Sequence, residues 1–337
     1  MSNDNHLLDV LTREGVLLNV SVRYWRAHKK LQAADLGLDP GDVSDRLISL
    51  GHKKLLPREA LATFALIESR ARSLVDDNTF PFMGGIGHFL PNSRLAEVSE
   101  RLESLGREFE RARASFLADY AQLRGDAARD WWDAARKLVR DPDRLVATIE
   151  DSFPRPESMA RYYSFETHLY QLSIPEGLPQ MDLVSAADQR AIIEARNQAA
   201  QEAASRIRQG TEQFVSDCVA ALRLETAKLC DEMLASFKGS KCGVHQKTLN
   251  RLNQFIDHFK TLNFARDREL EAHLEETRRR FLIQPAETYR DNIGARMKLD
   301  QGIKALGDTA RELARADATE IVQSFGAMGR RRFSLAA

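Results

Sequence analysis

The stretch Asn92-Ser93-Arg94-Leu95-Ala96-Glu97-Val98-Ser99-Glu100-Arg101-Leu102-Glu103-Ser104-Leu105 decides the fold class. Asn92 or Ser93 supplies a helix cap. From Leu95 the apolar residues step by three and four through Val98, Leu102, Leu105, Phe109, Ala112, Phe116, Tyr120 and Leu123. That seam lasts for about four heptads and marks one side of a long helix. Glu97, Glu100, Arg101, Glu103, Arg107, Glu108 and Glu110 fill the flanks. The helix is predicted to pass Gly125, a weak point, and to run through Trp131 and Trp132 to about Arg140.

The same period returns downstream. A second long helix is predicted from Ser185 to Phe237, with Gly239 near its C′ position, and a third from Gln246 to Phe281. Pro285 interrupts, and a last helix covers Ala286 to Ser324. Long helices joined by short turns pack as antiparallel neighbours. Upstream, Val16, Leu18, Val20, Val22 and Tyr24 alternate with Asn19, Ser21 and Arg23, the pattern of a half-buried strand. Its best partner is Phe165 to Ile174, and Arg330 to Leu335 is an expected short edge strand. Asp42 to Leu50 reads as a short helix, and a longer one opens at Pro57 and ends near Asp76. The expected fold is therefore mainly α: a long antiparallel, coiled-coil-like helical stalk with a small α+β head carrying a two- or three-stranded sheet. The head takes residues 1–92 and 141–184, the stalk 93–140 and 185–325, and 326–337 form a tail.

Charge and composition narrow the function. The chain of 337 residues has 49 Lys+Arg against 49 Asp+Glu, so no excess of cations draws it to nucleic acid. A hydrophobic share of 43% suffices for a packed core. Cys218, Cys230 and Cys242 are too few for a disulfide framework, and a reducing cytoplasm is the expected setting. The first residues lack the basic start and continuous apolar run of a secretory signal. No window reaches the roughly 18 apolar residues of a membrane span.

The standard nucleotide, metal and nucleophile motifs do not occur, and the expectation is a non-catalytic chain without cofactor or metal. Cys242 and His245, with Cys230 and His258, lack the usual spacing of a zinc site. Two stretches stand out for binding. Phe80-Pro81-Phe82-Met83-Gly84-Gly85-Ile86-Gly87-His88-Phe89-Leu90-Pro91 reads as an apolar Gly/Pro loop, either packed under the head or open to a partner. Its candidate contact residues are Phe80, Phe82, Met83 and Phe89, with Asp76 and Asp77 just before them. The second is a basic-aromatic patch of Arg23, Trp25, Arg26, Lys29 and Lys30, which could stack bases and bind phosphates.

Several runs carry a family resemblance. They are residues 11–25, 45–53, Asn78-Thr79-Phe80-Pro81-Phe82, His88-Phe89-Leu90-Pro91-Asn92 and residues 145–154. Together they resemble a bacterial family known as a domain of unknown function (number thirty-one fifty), carried largely by plasmids, phages and integrative elements. The resemblance implies two companions, a MoxR-type AAA ATPase and a von Willebrand A-domain protein, similar to the cobaltochelatase pair. It implies a non-catalytic adaptor or structural component of an ATPase-driven remodelling system. The alternatives are a nucleic-acid-binding accessory protein of a mobile element and a membrane-active helical protein.

Overall fold

The computed structural model describes residues 6–36, 49–171, 186–239, 243–316 and 318–325. The helices are α1 (His6–Glu14), α2 (Ala62–Asn78), α3 (Asn92–Leu138), α4 (Pro142–Asp151), α5 (Pro156–Met159), α6 (Ala186–Gly239), α7 (Gln246–Leu262), α8 (Arg268–Thr277), α9 (Ala286–Asp291) and α10 (Ile293–Arg315). The strands are β1 (Gly15–Arg23), β2 (His28–Lys30), β3 (His52–Lys54), β4 (Phe80–Phe82), β5 (Gly87–Pro91) and β6 (Ser164–Tyr170). Helix dominates, as the seams require. One sheet has the order β4-β5-β1-β6, and β2 and β3 form a separate ribbon.

Four strands stand where two or three were expected. The apolar stretch before Asn92 is a β4–β5 hairpin rather than a loop, pairing Phe80 with Phe89 and Phe82 with Gly87. Gly84 and Gly85 take positive φ at its tip, which removes the strain a side chain would meet there. β1 pairs antiparallel with β5 in the register Gly15 to Pro91 and Leu18 to His88. A Cβ on Gly15 would lie 2.5 Å from the Phe89 ring and the Leu90 carbonyl, so only glycine fits. The long-range neighbour of β1 is β6, as expected, over Ser164–Tyr170. The period-two pattern of β1 fails at its start, where Leu17 and Leu18 are both buried. A central strand with both faces covered loses its alternation. The proposed edge strand near Phe333 and the short helix after Asp42 lie outside the described residues.

The chain forms two compact units, one of residues 1–18, 78–96 and 169–337, the other of residues 19–77 and 97–168. The first has a core in which Phe82 and Phe89 of the β4–β5 hairpin meet Phe214 edge to face and Phe264 packs against Phe89 and Phe214. Its helices pack through Leu229, Cys230 and Met233 of α6, Leu252 and Ile256 of α7, and Leu299, Ile303 and Leu306 of α10. The second unit has an aromatic core. Phe64 of α2 touches Phe109 and Phe116 of α3 and Tyr163. Val98, Leu102, Leu105, Phe109, Phe116 and Tyr120 of the α3 seam are all buried.

The predicted third helix is two helices. It breaks at Asn263–Asp267, where Asn263 ends α7 and the Asp267 carboxylate caps α8 by accepting from Leu270 N–H. Arg223 of α6 reaches this break and donates to Asp267 at 2.6 Å, with both side chains buried. The last predicted helix is likewise divided, because Asn292 caps α10 and stops α9.

Candidate functional site

α10 carries two different faces. Leu299, Ile303, Leu306 and Ala310 are buried, and a Cβ on Gly307 would touch Cys230 of α6 at 3.0 Å. On another side, Ile293, Met297, Gln301 and Ala305 follow one another by four residues and all are exposed. Ile293 is 78% and Met297 58% exposed, values that single them out on a helix of this burial. Asn292 fixes where this row begins, since its side chain accepts from Ala295 N–H at 3.0 Å.

The row leads into a cleft of about 610 Å³ lined by Lys298, Gln301, Gly302, Ala305 and Thr309 of α10 and by Thr277, Arg280 and Phe281 opposite. The opposite wall is unusual. Arg278–Leu282 continue α8 as a π-helical turn, a form found mostly as single turns and often at functional sites. Two groups hold it. Arg278 donates to the Asn253 carbonyl at 2.8 Å and to Asp257 at 2.6 Å, fixing the turn on α7. The Tyr289 hydroxyl donates to the Phe281 carbonyl at 2.9 Å. The Phe281 ring lies over Gly302, where a Cβ would come within 2.3 Å of it. Ile283, just past the turn, is 75% exposed. Arg280 pairs with Glu276 at 2.5 Å on the rim. The site is thus a row begun by two large exposed apolar side chains and a cleft of mixed lining, its rim carrying the Arg280–Glu276 pair and Lys298, on helices locked in place by hydrogen bonds.

None of this was legible as a site. Arg278-Arg279-Arg280 reads in sequence as a solvated helix end, and Ile293 and Met297 fall unremarked within the predicted helix Ala286 to Ser324. A hint lies in Pro285 and Asn292, a breaker and a cap too close together for one long helix.

The residues singled out from sequence are placed as follows. Phe80, Phe82 and Phe89 are buried in the first unit's core, which accounts for their apolar surface without a partner. Met83 lies against Gly210, and Ile86 at the hairpin tip is the exposed apolar residue there. Asp76 and Asp77 are exposed in the last turn of α2. Trp25 packs on Tyr120 and Phe153 and is no free stacking platform. Arg23 pairs with Glu166 at 2.7 Å and Arg26 with Glu68 at 2.9 Å. Lys29 and Lys30 are exposed on β2. The structure therefore does not bring the five residues of that patch together as one cationic surface. Trp131 and Trp132 diverge, the first donating to the Lys54 carbonyl at 2.8 Å and the second lying exposed under Arg136.

Electrostatics elsewhere are those of packing. Burial raises the Cys218 thiol well above its usual range and the Cys230 thiol to about 12. Burial also raises Tyr163, whose hydroxyl is enclosed and has no hydrogen-bond partner among the described residues. Among the described residues no three His, Cys, Asp or Glu side chains converge on a metal position, and Cys242 lies outside them. Among those residues, too, no helix is long and apolar enough to cross a membrane.

A family model described as Protein of unknown function (DUF3150) matches residues 12–281. Comparisons with curated proteins and with solved structures give no match.

Proposed function

We propose that this chain, which belongs to the family described as Protein of unknown function (DUF3150), is a non-catalytic adaptor that binds protein partners through α10. The observation that carries the reading is the exposed row Ile293–Met297 running into the cleft beside the π-turn. Apolar side chains grouped on one face, rimmed by the Arg280–Glu276 pair and Lys298, have the make-up of a protein interface: an apolar centre and a polar margin. The π-turn and the Gly302–Phe281 contact keep the cleft open in a fixed shape, which lowers the ordering cost of binding.

The partners we propose are the two the sequence resemblance implies, a MoxR-type AAA ATPase and a von Willebrand A-domain protein, in a mobile-element remodelling system. The exposed carboxylates of Asp76 and Asp77 supply a further contact for the A-domain, because a carboxylate is a hard oxygen ligand for a magnesium ion held by such a domain. A photo-crosslinking residue placed at Met297 should join the chain to one of the two purified companions, while the same residue placed at the exposed Leu224 should not. Crosslinking at neither position with either companion contradicts the reading. For the A-domain, Asp76→Asn with Asp77→Asn, and separately a chelator, should each weaken binding. Binding unchanged by both removes the carboxylates from the interface.

A further inference from the structure

The β2–β3 ribbon has an unusual composition. β2 is His28-Lys29-Lys30 and β3 is His52-Lys53-Lys54, and they pair antiparallel as His28 to Lys54, Lys29 to Lys53 and Lys30 to His52. Every cross-strand pair is basic against basic. Like charges placed opposite one another destabilise a strand pair. The ribbon is nonetheless held at both ends, by Leu55 N–H donating to the Ala27 carbonyl at 2.7 Å and Leu31 N–H to the Gly51 carbonyl at 3.0 Å.

Residues paired across a ribbon share a face, and alternate residues along a strand share it too. One face therefore carries Lys29 and Lys53. On it Lys53 is buried and neutralised by Asp35 at 2.8 Å, while Lys29 at the opposite position is exposed. The other face carries His28, Lys30, His52 and Lys54, all exposed, with the two imidazoles 5.1 Å apart. Among the described residues no carboxylate pairs with Lys30 or Lys54. Among the described residues, two lysines without a carboxylate partner thus share a face of about 5 by 7 Å, the spacing of paired and alternate residues in a ribbon.

We infer that this face binds the phosphate backbone of nucleic acid without reading its sequence. The choice of nucleic acid over an acidic protein rests on what surrounds the face. The face itself carries no apolar side chain: Ala27, Leu55 and Leu56 beside it are buried, and the Trp131 indole, which donates to the Lys54 carbonyl, is half-buried. Its cations are lysines, which meet phosphate as point charges, and not the arginine fork that grips a carboxylate in two bonds. A two-stranded ribbon is also narrow enough to lie along a duplex groove. The inference is independent of the α10 docking face.

The test is fluorescence anisotropy of a labelled duplex of arbitrary sequence, titrated with the full chain across a salt series. The wild-type chain should bind with an affinity that falls steeply with salt. Lys30→Gln with Lys54→Gln should lower the slope of log affinity against log salt by about two and the affinity by about tenfold per lysine at 0.1 M salt. Lys247→Gln with Lys304→Gln, two exposed lysines elsewhere, should change neither, and circular dichroism should show both variants folded. Absence of wild-type binding overturns the inference, as does equal loss in the two variants. Ribbon-dependent binding of poly-glutamate or of phosphatidylserine vesicles in place of the duplex overturns it in favour of an acidic protein or a membrane.

Discussion

Arg223 and Asp267 show how much a single pair organises. The guanidinium touches the carboxylate that caps α8 and donates to the Leu313 carbonyl of α10 at 2.5 Å, so one side chain of α6 fixes two other elements. Arg223→Met leaves a buried carboxylate without its cation, and the expected loss is about 3–5 kcal/mol in urea unfolding. A loss below about 1 kcal/mol would show the pair to be solvated. Glu68 gives the pH dependence. Its hydrogen bond from Arg26, with the charge of Arg72 adding, holds its carboxyl below the usual range. A group with a depressed folded pKa stabilises the fold above its unfolded value, roughly 4.3, and that contribution disappears as pH falls through the folded value. Glu68→Gln should therefore be less stable than wild type at pH 7, and the two should converge in acid. Cys218 and Cys230 are buried neutral thiols, so at pH 8 iodoacetamide mapped by mass spectrometry should leave both unlabelled until the chain unfolds. Rapid labelling of Cys230 in the folded chain contradicts its placement against Gly307.

Elements differed in how plainly they could be read. α3 was legible because its seam from Leu95 to Tyr120 repeats without a break and its flanks are charged. β1 was legible in place, though not in facing, because β-branched residues mark a strand whether one or both faces are covered. The β2–β3 ribbon was not legible, since three basic residues show no alternation of apolar and polar. The hairpin before α3 hid for the opposite reason: its proline and glycines are turn signals, yet here Pro81 sits in an edge strand, where the missing N–H is tolerated. The break at Asn263–Asp267 was hidden because Leu262 and Leu270 stay in phase across it. The α10 site was illegible in principle, because periodicity finds apolar residues and cannot tell an exposed row from a buried one. The π-turn itself allows a test at this scale. Gly302→Val forces a branched side chain into the Phe281 ring and should cost about 1–3 kcal/mol by overpacking while displacing the turn. A melting temperature equal to wild type would contradict the contact.

At the scale of the whole chain, neither unit is a contiguous stretch. The divisions fall inside β1, α3 and β6 and at the last residue of α2, and the second unit needs residues 19–77 as well as 97–168. Residues 97–168 expressed alone lack Phe64, whose ring is shared by Phe109, Phe116 and Tyr163, and they should show no cooperative thermal transition. The central claim is that the chain works by binding protein through α10. The most direct measurement is the affinity of the purified chain for each of the two companions proposed above, a MoxR-type AAA ATPase and a von Willebrand A-domain protein, by biolayer interferometry, with and without Ile293→Glu and Met297→Glu. Both positions are exposed, so the double variant should fold as wild type does. The account predicts binding to one companion and a loss of at least about tenfold, or about 1.4 kcal/mol, in the double variant. Equal affinity of wild type and variant, or no binding of the wild-type chain to either companion, contradicts it.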